Sequence, residues 1–105
     1  MYVNFEAISA KSLDNYIGRK DCMIIDLRDA GDYWQSHILG AYHLPYERLK
    51  STFLRKDILY VLYCERGSAS LAAAKELAEK GYQVKSVVGG IMAYRGKYLT
   101  RRYGN

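Results

Sequence analysis

Residues 58–70 read Ile58-Leu59-Tyr60-Val61-Leu62-Tyr63-Cys64-Glu65-Arg66-Gly67-Ser68-Ala69-Ser70. Ile58 to Tyr63 is a short β-favouring run without polar alternation, the pattern of a strand buried on both faces of a parallel sheet. From about Ser68 to Lys80 the pattern turns helical. Leu71, Ala74, Leu77 and Ala78 fall along one stripe, Lys75, Glu76, Glu79 and Lys80 lie off it, and Gly81 supplies the stop. Cys64 is therefore predicted at the carboxyl end of a strand, one short loop before a helix.

Working outward, Tyr2 to Ile8 reads as a strand. Ser9 then caps a helix running to about Tyr16 or Ile17, with Ile8 and Leu13 placed as a hydrophobic staple and Gly18 as the stop. Cys22-Met23-Ile24-Ile25 is a second buried-strand candidate. Residues 29–49 form a structured connector broken by Gly31, Gly40 and Pro45, with a helical turn at Asp32 to Gln35 and another after Pro45. Gln83 to Val88 predicts a further strand, Gly89-Gly90 a turn, and Ile91 to about Leu99 a last helix. Strands alternating with helices imply an α/β fold with a mostly parallel sheet.

The 105 residues suit one domain, read as spanning 1–105 with a basic end from about residue 95. Residues 1–80 balance 11 basic against 11 acidic side chains, whereas Lys85, Arg95, Lys97, Arg101 and Arg102 follow with no acid. Five dispersed cations fit a solvated face better than a phosphate-binding footprint, so no nucleic-acid partner is expected. The apolar runs fall far short of the roughly 18 residues of a membrane span, and the N-terminus lacks a signal-peptide pattern. A soluble, cytoplasmic protein with no membrane partner is the expectation, its oligomeric state unspecified. Cys22 and Cys64 are expected as reduced thiols, and two cysteines with two histidines at unrelated spacings predict no metal site.

In open α/β sheets ligands bind beyond the carboxyl ends of the strands, where Cys64 is placed. Gly67 permits tight curvature, so loop amides and the first amides of the next helix could converge on an anion and favour a thiolate. Arg66 adds positive charge that Glu65 partly offsets. From the pattern alone, Cys64 reads equally as a nucleophile or as a small buried residue in an ordinary strand–helix connection.

Ile24-Ile25-Asp26-Leu27-Arg28 followed by Ser36-His37-Ile38-Leu39-Gly40-Ala41 resembles the two-part signature of rhodanese-homology domains, D-x-R and then G-H-I-x-G-A. Cys64-x-x-Gly67 after a strand, the alanine-rich helix and Val88-Gly89-Gly90-Ile91 resemble that family's active-site loop and closing turn. The resemblance covers nearly the whole chain. It implies a small rhodanese-like α/β domain, its central sheet carrying helices on both faces. It also implies that Cys64 becomes a persulfide within a substrate-binding loop of Glu65, Arg66, Gly67, Ser68, Ala69 and Ser70. The six residues from Cys64 to Ala69 match the loop length of sulfur-transferring members rather than the longer loop of phosphatases. Two departures stand out: Ala69 occupies a position where many members carry arginine, and members often show tryptophan near Tyr94.

By the same resemblance Asp26, Arg28 and His37 are structural supports, the first two as an ion pair and the histidine bonded to connector backbone. Cys22 reads as inert, a resolving role being the minor alternative. Of the tyrosines Tyr42, Tyr46, Tyr60, Tyr63, Tyr94 and Tyr98, some should pack the core and others line the active-site mouth. The expected activity is sulfur transfer through Cys64, from thiosulfate or another small anionic sulfane donor to a thiol, a protein thiol or cyanide, without metal or organic cofactor. The alternatives are a catalytically weak binding or regulatory module and, behind it, a phosphatase or arsenate reductase on the same fold.

Overall fold

A computed structural model describes residues 5–101. The start of the first predicted strand, Tyr2 to Asn4, and Arg102 of the basic end lie outside the described residues. Strands β1 (Phe5–Ile8), β2 (Cys22–Asp26), β4 (Tyr42–His43), β5 (Leu59–Tyr63) and β6 (Gln83–Val87) form one parallel sheet in the order β1-β6-β5-β2-β4. The two residues of β3 (His37–Ile38) pair antiparallel with β7 (Leu99–Thr100) in a second, small sheet. Helices α1 (Ala30–Gln35) and α2 (Ser68–Glu79) are α-helical, and 3-10 turns occupy Lys11–Tyr16, Tyr46–Ser51 and Ile91–Ala93.

The central strands are buried on both faces, as their unbroken apolar runs require. Successive side chains of a strand point to opposite faces, and each face has its own core. Ile25, Tyr60, Leu62 and Val84 pack with Ala73, Ala74 and Leu77 of α2 and Leu49 of the second 3-10 turn. Ile24, Val61, Tyr63 and Val87 face the other way, onto Ala10, Leu13, Ile38 and Tyr94. Helical elements thus cover both faces, although the second face is covered by single 3-10 turns and the β3–β7 pair.

Three expectations need correction. The predicted helix from Ile91 to Leu99 is a 3-10 turn of three residues followed by an extended return to β7. Its cause is a non-local pairing: the Leu39 N–H donates to Tyr98 O at 2.8 Å, and β7 pairs with β3. The helix after Ser9 is a 3-10 turn with Ala10, not Ser9, at its N-cap position; Ser9 Oγ accepts from Ser12 N–H at 3.1 Å from one residue further out. The buried stripe of α2 is Ser70, Ala73, Ala74 and Leu77, with Leu71 at the surface. Alanines give a weak phase, and Ser70 is turned inward by its buried hydrogen bond to Ser86.

Chain order places the site. From β2 the chain moves outward to β4, whereas from β5 it moves the opposite way to β6. The carboxyl ends of β2 and β5 therefore flank the point where strand order reverses, the usual ligand crevice of an open parallel sheet. Asp26 ends β2, and Cys64 follows β5 directly.

Candidate active site

Cys64 is buried, and its Sγ accepts two peptide N–H groups, from Gly67 at 3.1 Å and from Ser70 at 3.3 Å. The loop can close this tightly because Gly67 adopts φ 108°, where a Cβ would lie 2.9 Å from the nitrogen of Gly89. Ser70 fixes the start of α2, its Oγ donating to Gly67 O at 3.2 Å and lying 2.9 Å from Ser86 Oγ.

The Gly89-Gly90 turn orients the rest of the loop. Ile91 N–H donates to Cys64 O at 2.9 Å and Met92 N–H to Glu65 O at 3.1 Å. Because a trans peptide is planar with C=O and N–H on opposite sides, holding these carbonyls toward the glycine turn aims the N–H groups of Glu65 and Arg66 the other way. The N–H groups of Ser68 and Ala69 open α2, whose N-cap Gly67 has no side chain to satisfy them. Successive amides aimed this way form a concavity suited to an anion.

Beneath the loop lies a buried polar network. Asp26 is fully buried and accepts from Arg28 N–H at 2.9 Å, Arg28 Nη2 at 2.9 Å and Tyr63 O–H at 2.6 Å. Tyr63 Oη in turn accepts from Ile38 N–H at 3.0 Å. Arg28 also donates to Ser36 O at 2.6 Å and reaches Glu65 Oε1 at 3.4 Å, tying the connector to the loop. Burial opposes the guanidinium charge, but the hydrogen bond and charge of Asp26 outweigh it and hold Arg28 above its ordinary value. Burial, and then the Asp26 charge, push the Tyr63 hydroxyl well above its usual range.

His37 is fully buried, stacked on Tyr33 with ring centres 3.7 Å apart, and its Nδ1–H donates to Tyr33 O at 2.8 Å. This is a connector brace, without the access a general base needs. Arg66 is exposed and makes no side-chain hydrogen bond or ion pair among the described residues. Glu65 and Ser68 are exposed, while Ala69 is half-buried against the α2 core. Cys22 lies at the opposite end of the sheet, level with Leu59, about 16 Å along the strand direction from Cys64. Its thiol is pushed up by burial, and the cleft of about 400 Å³ beside it contains no residue of the Cys64 loop.

Sequence reasoning named Tyr63 without its bond to Asp26, and missed Ser86 and His43, whose Nε2–H donates to Arg28 O at 2.8 Å. A tyrosine in place of valine or isoleucine in a two-face-buried strand was the available signal, since a buried hydroxyl needs a partner.

The rhodanese-like domain family model matches residues 9–97. The chain belongs to the rhodanese-like domain family. It is 30% identical over 103 residues to a Coxiella burnetii protein named thiosulfate sulfurtransferase GlpE, covering 95% of this chain and 94% of that one. A Desulfurococcus amylolyticus protein named tRNA sulfurtransferase is 39% identical over 75 residues, 71% of this chain but 15% of its own length. Among solved structures, a rhodanese-related protein from Thermoplasma volcanium superposes with a TM-score of 0.83 at 25% identity, covering 92% of this chain and 99% of that chain. A rhodanese-like domain protein from Staphylococcus aureus gives 0.82 at 22% identity, with 92% and 98% covered, a likeness of fold. Rhodanese-like sulfurtransferases are thus among its relatives. No helix among the described residues is long and apolar enough to cross a membrane.

Proposed function

We propose that this protein is a sulfurtransferase in which Cys64 carries a sulfane sulfur as a persulfide. The observation that carries the reading is the pair of peptide N–H groups on Cys64 Sγ, in a loop whose Cys64 and Glu65 carbonyls are held away by the glycine turn. Preorganised donors of this kind stabilise negative charge as it develops, with no reorganisation at the moment of reaction. The Cys64 thiolate attacks the outer sulfur of a donor such as thiosulfate. The sulfur–sulfur bond of the donor breaks with its electron pair leaving on sulfite, and a persulfide anion remains on Cys64. Cyanide or a thiol then takes the terminal sulfur, and the electron pair of the Cys64–sulfur bond returns to the thiolate.

In this reading Glu65 to Ser70 form the substrate loop by their backbone, Asp26, Arg28 and His37 hold it in place, and neither metal nor organic cofactor takes part. Its partners are a small sulfane donor and a thiol, protein thiol or cyanide acceptor. Thiocyanate formation from a sulfane donor and cyanide tests the assignment. Cys64→Ser abolishes it and Cys22→Ser leaves it unchanged; retained turnover in Cys64→Ser excludes the mechanism. Ala69, which leaves the loop's sixth position uncharged, is the observation that favours a catalytically weak binding module as the second reading. That reading predicts no thiocyanate from either the wild-type protein or its variants.

A further inference from the structure

We propose that Glu65 biases the Cys64 site toward sulfane donors of low negative charge and against the thiosulfate dianion. The inference rests on Cys64 as the sulfur carrier and concerns what that cysteine accepts.

Glu65 follows the cysteine directly, and its carbonyl is held by Met92 N–H at 3.1 Å, so the base of its side chain is fixed at the rim of the loop. Its carboxylate is half-exposed, and its one ion-pair partner among the described residues is Arg28 at 3.4 Å. That partner does not neutralise it. The Arg28 charge is already matched by fully buried Asp26 at 2.9 Å, and its Nη2 also serves Ser36 O at 2.6 Å. One positive charge thus stands between two carboxylates.

Further acid follows Arg28 in sequence. Asp29 follows Arg28 and caps α1. Asp32, whose N–H donates to Asp29 Oδ1 at 3.0 Å, adds another carboxylate; its carboxyl is raised first by the charge of Asp29, then by burial and the charge of Glu65, and lowered by Arg28. Opposing cations are Arg66, which is exposed, and Arg95, whose Nη1 donates to Met92 O at 2.8 Å. Ala69 contributes none where an arginine would have served. The loop amides and Arg66 attract a dianion more than a monoanion, and the Glu65 carboxylate offsets that attraction in the same proportion, so removing its charge favours the dianion more.

A donor charge about 8 Å from Glu65 in bulk water meets a repulsion worth roughly a twofold change in rate, and a dianion about fivefold. Thiosulfate and methanethiosulfonate isolate this difference. Both present an outer sulfur on an S–S bond, the first leaving as sulfite and the second as methanesulfinate, and they differ by one negative charge. The rate constant for adding one sulfur, about 32 Da, to the intact protein is measured for each donor. Glu65→Gln, which keeps the size of the side chain and an acceptor for Arg28, is expected to accelerate thiosulfate about fivefold and methanethiosulfonate about twofold. Glu65→Lys widens that gap further, and salt at about 0.5 M closes it by screening. Equal acceleration of both donors, or none, overturns the inference while leaving Cys64 as the carrier. Failure of the wild-type protein to gain sulfur from either donor overturns the carrier assignment, and the inference falls with it.

Discussion

Replacing Gly90 by alanine should damage the fold and the Cys64 loop together. Gly90 has φ 63° and ψ −160°, a region that L residues with a side chain enter only at a cost of roughly 1–3 kcal/mol. An added Cβ would also lie 2.5 Å from both Cys64 O and Glu65 O. Those oxygens are held by Ile91 N–H and Met92 N–H at 2.9 and 3.1 Å, so neither can retreat without stretching a hydrogen bond worth about 1 kcal/mol. Strain and two weakened bonds together predict a loss of about 3–5 kcal/mol, a large part of the stability of a small domain. Gly40→Ala is the control: φ is 82°, but nothing lies within 4 Å of the added carbon, so the loss is left-handed strain alone, about 1–2 kcal/mol. Urea unfolding followed by circular dichroism measures both, and sulfur uptake measures the loop. A Gly90→Ala protein no less stable than Gly40→Ala, with wild-type sulfur uptake, would refute the reasoning.

Other expectations follow from the network beneath the loop and from the second core. Asp26→Asn removes the charge that compensates buried Arg28 and should cost about 3–5 kcal/mol in urea unfolding; a loss below about 1 kcal/mol would show that the pair is not a support. Tyr94, bonded to Asp14 at 2.6 Å, has its hydroxyl pushed up to about 12, chiefly by burial and then by that hydrogen bond. The unfolded chain releases this proton near 10 and the folded one later, so the unfolded state binds fewer protons in that window and stability falls between pH 10 and about 12. Subtracting the pH profile of Tyr94→Phe from that of the wild type should isolate this fall, and parallel profiles would contradict it.

What was legible in the sequence is what local pattern controls. Ile58 to Tyr63 had no polar position to expose, so a buried central strand was the consistent reading, and Cys64 at its end followed with the loop. The return of Tyr98 and Leu99 to pair beside Ile38 was not legible, because that pairing joins residues about sixty apart and leaves no periodic mark on either segment. The phase of α2 was lost for a related reason. Alanine faces core or solvent at little cost, so the serine bonded to Ser86 across the core set the rotation. Within the site, the loop itself could be read, but not what orients its amides. Gly89 and Gly90 could be seen as a turn, whereas their packing against the carbonyls of Cys64 and Glu65 depends on the fold. The Asp26–Tyr63 bond likewise spans two strands whose adjacency no local pattern specifies.

The central claim is that Cys64 receives the sulfur. Intact mass after exposure to a sulfane donor, followed by peptide mapping without reductant, tests it most directly. The prediction is a gain of about 32 Da on the peptide containing Cys64, discharged by cyanide, absent in Cys64→Ser and retained in Cys22→Ser. The same gain on Cys22, or its persistence in Cys64→Ser, would contradict the account.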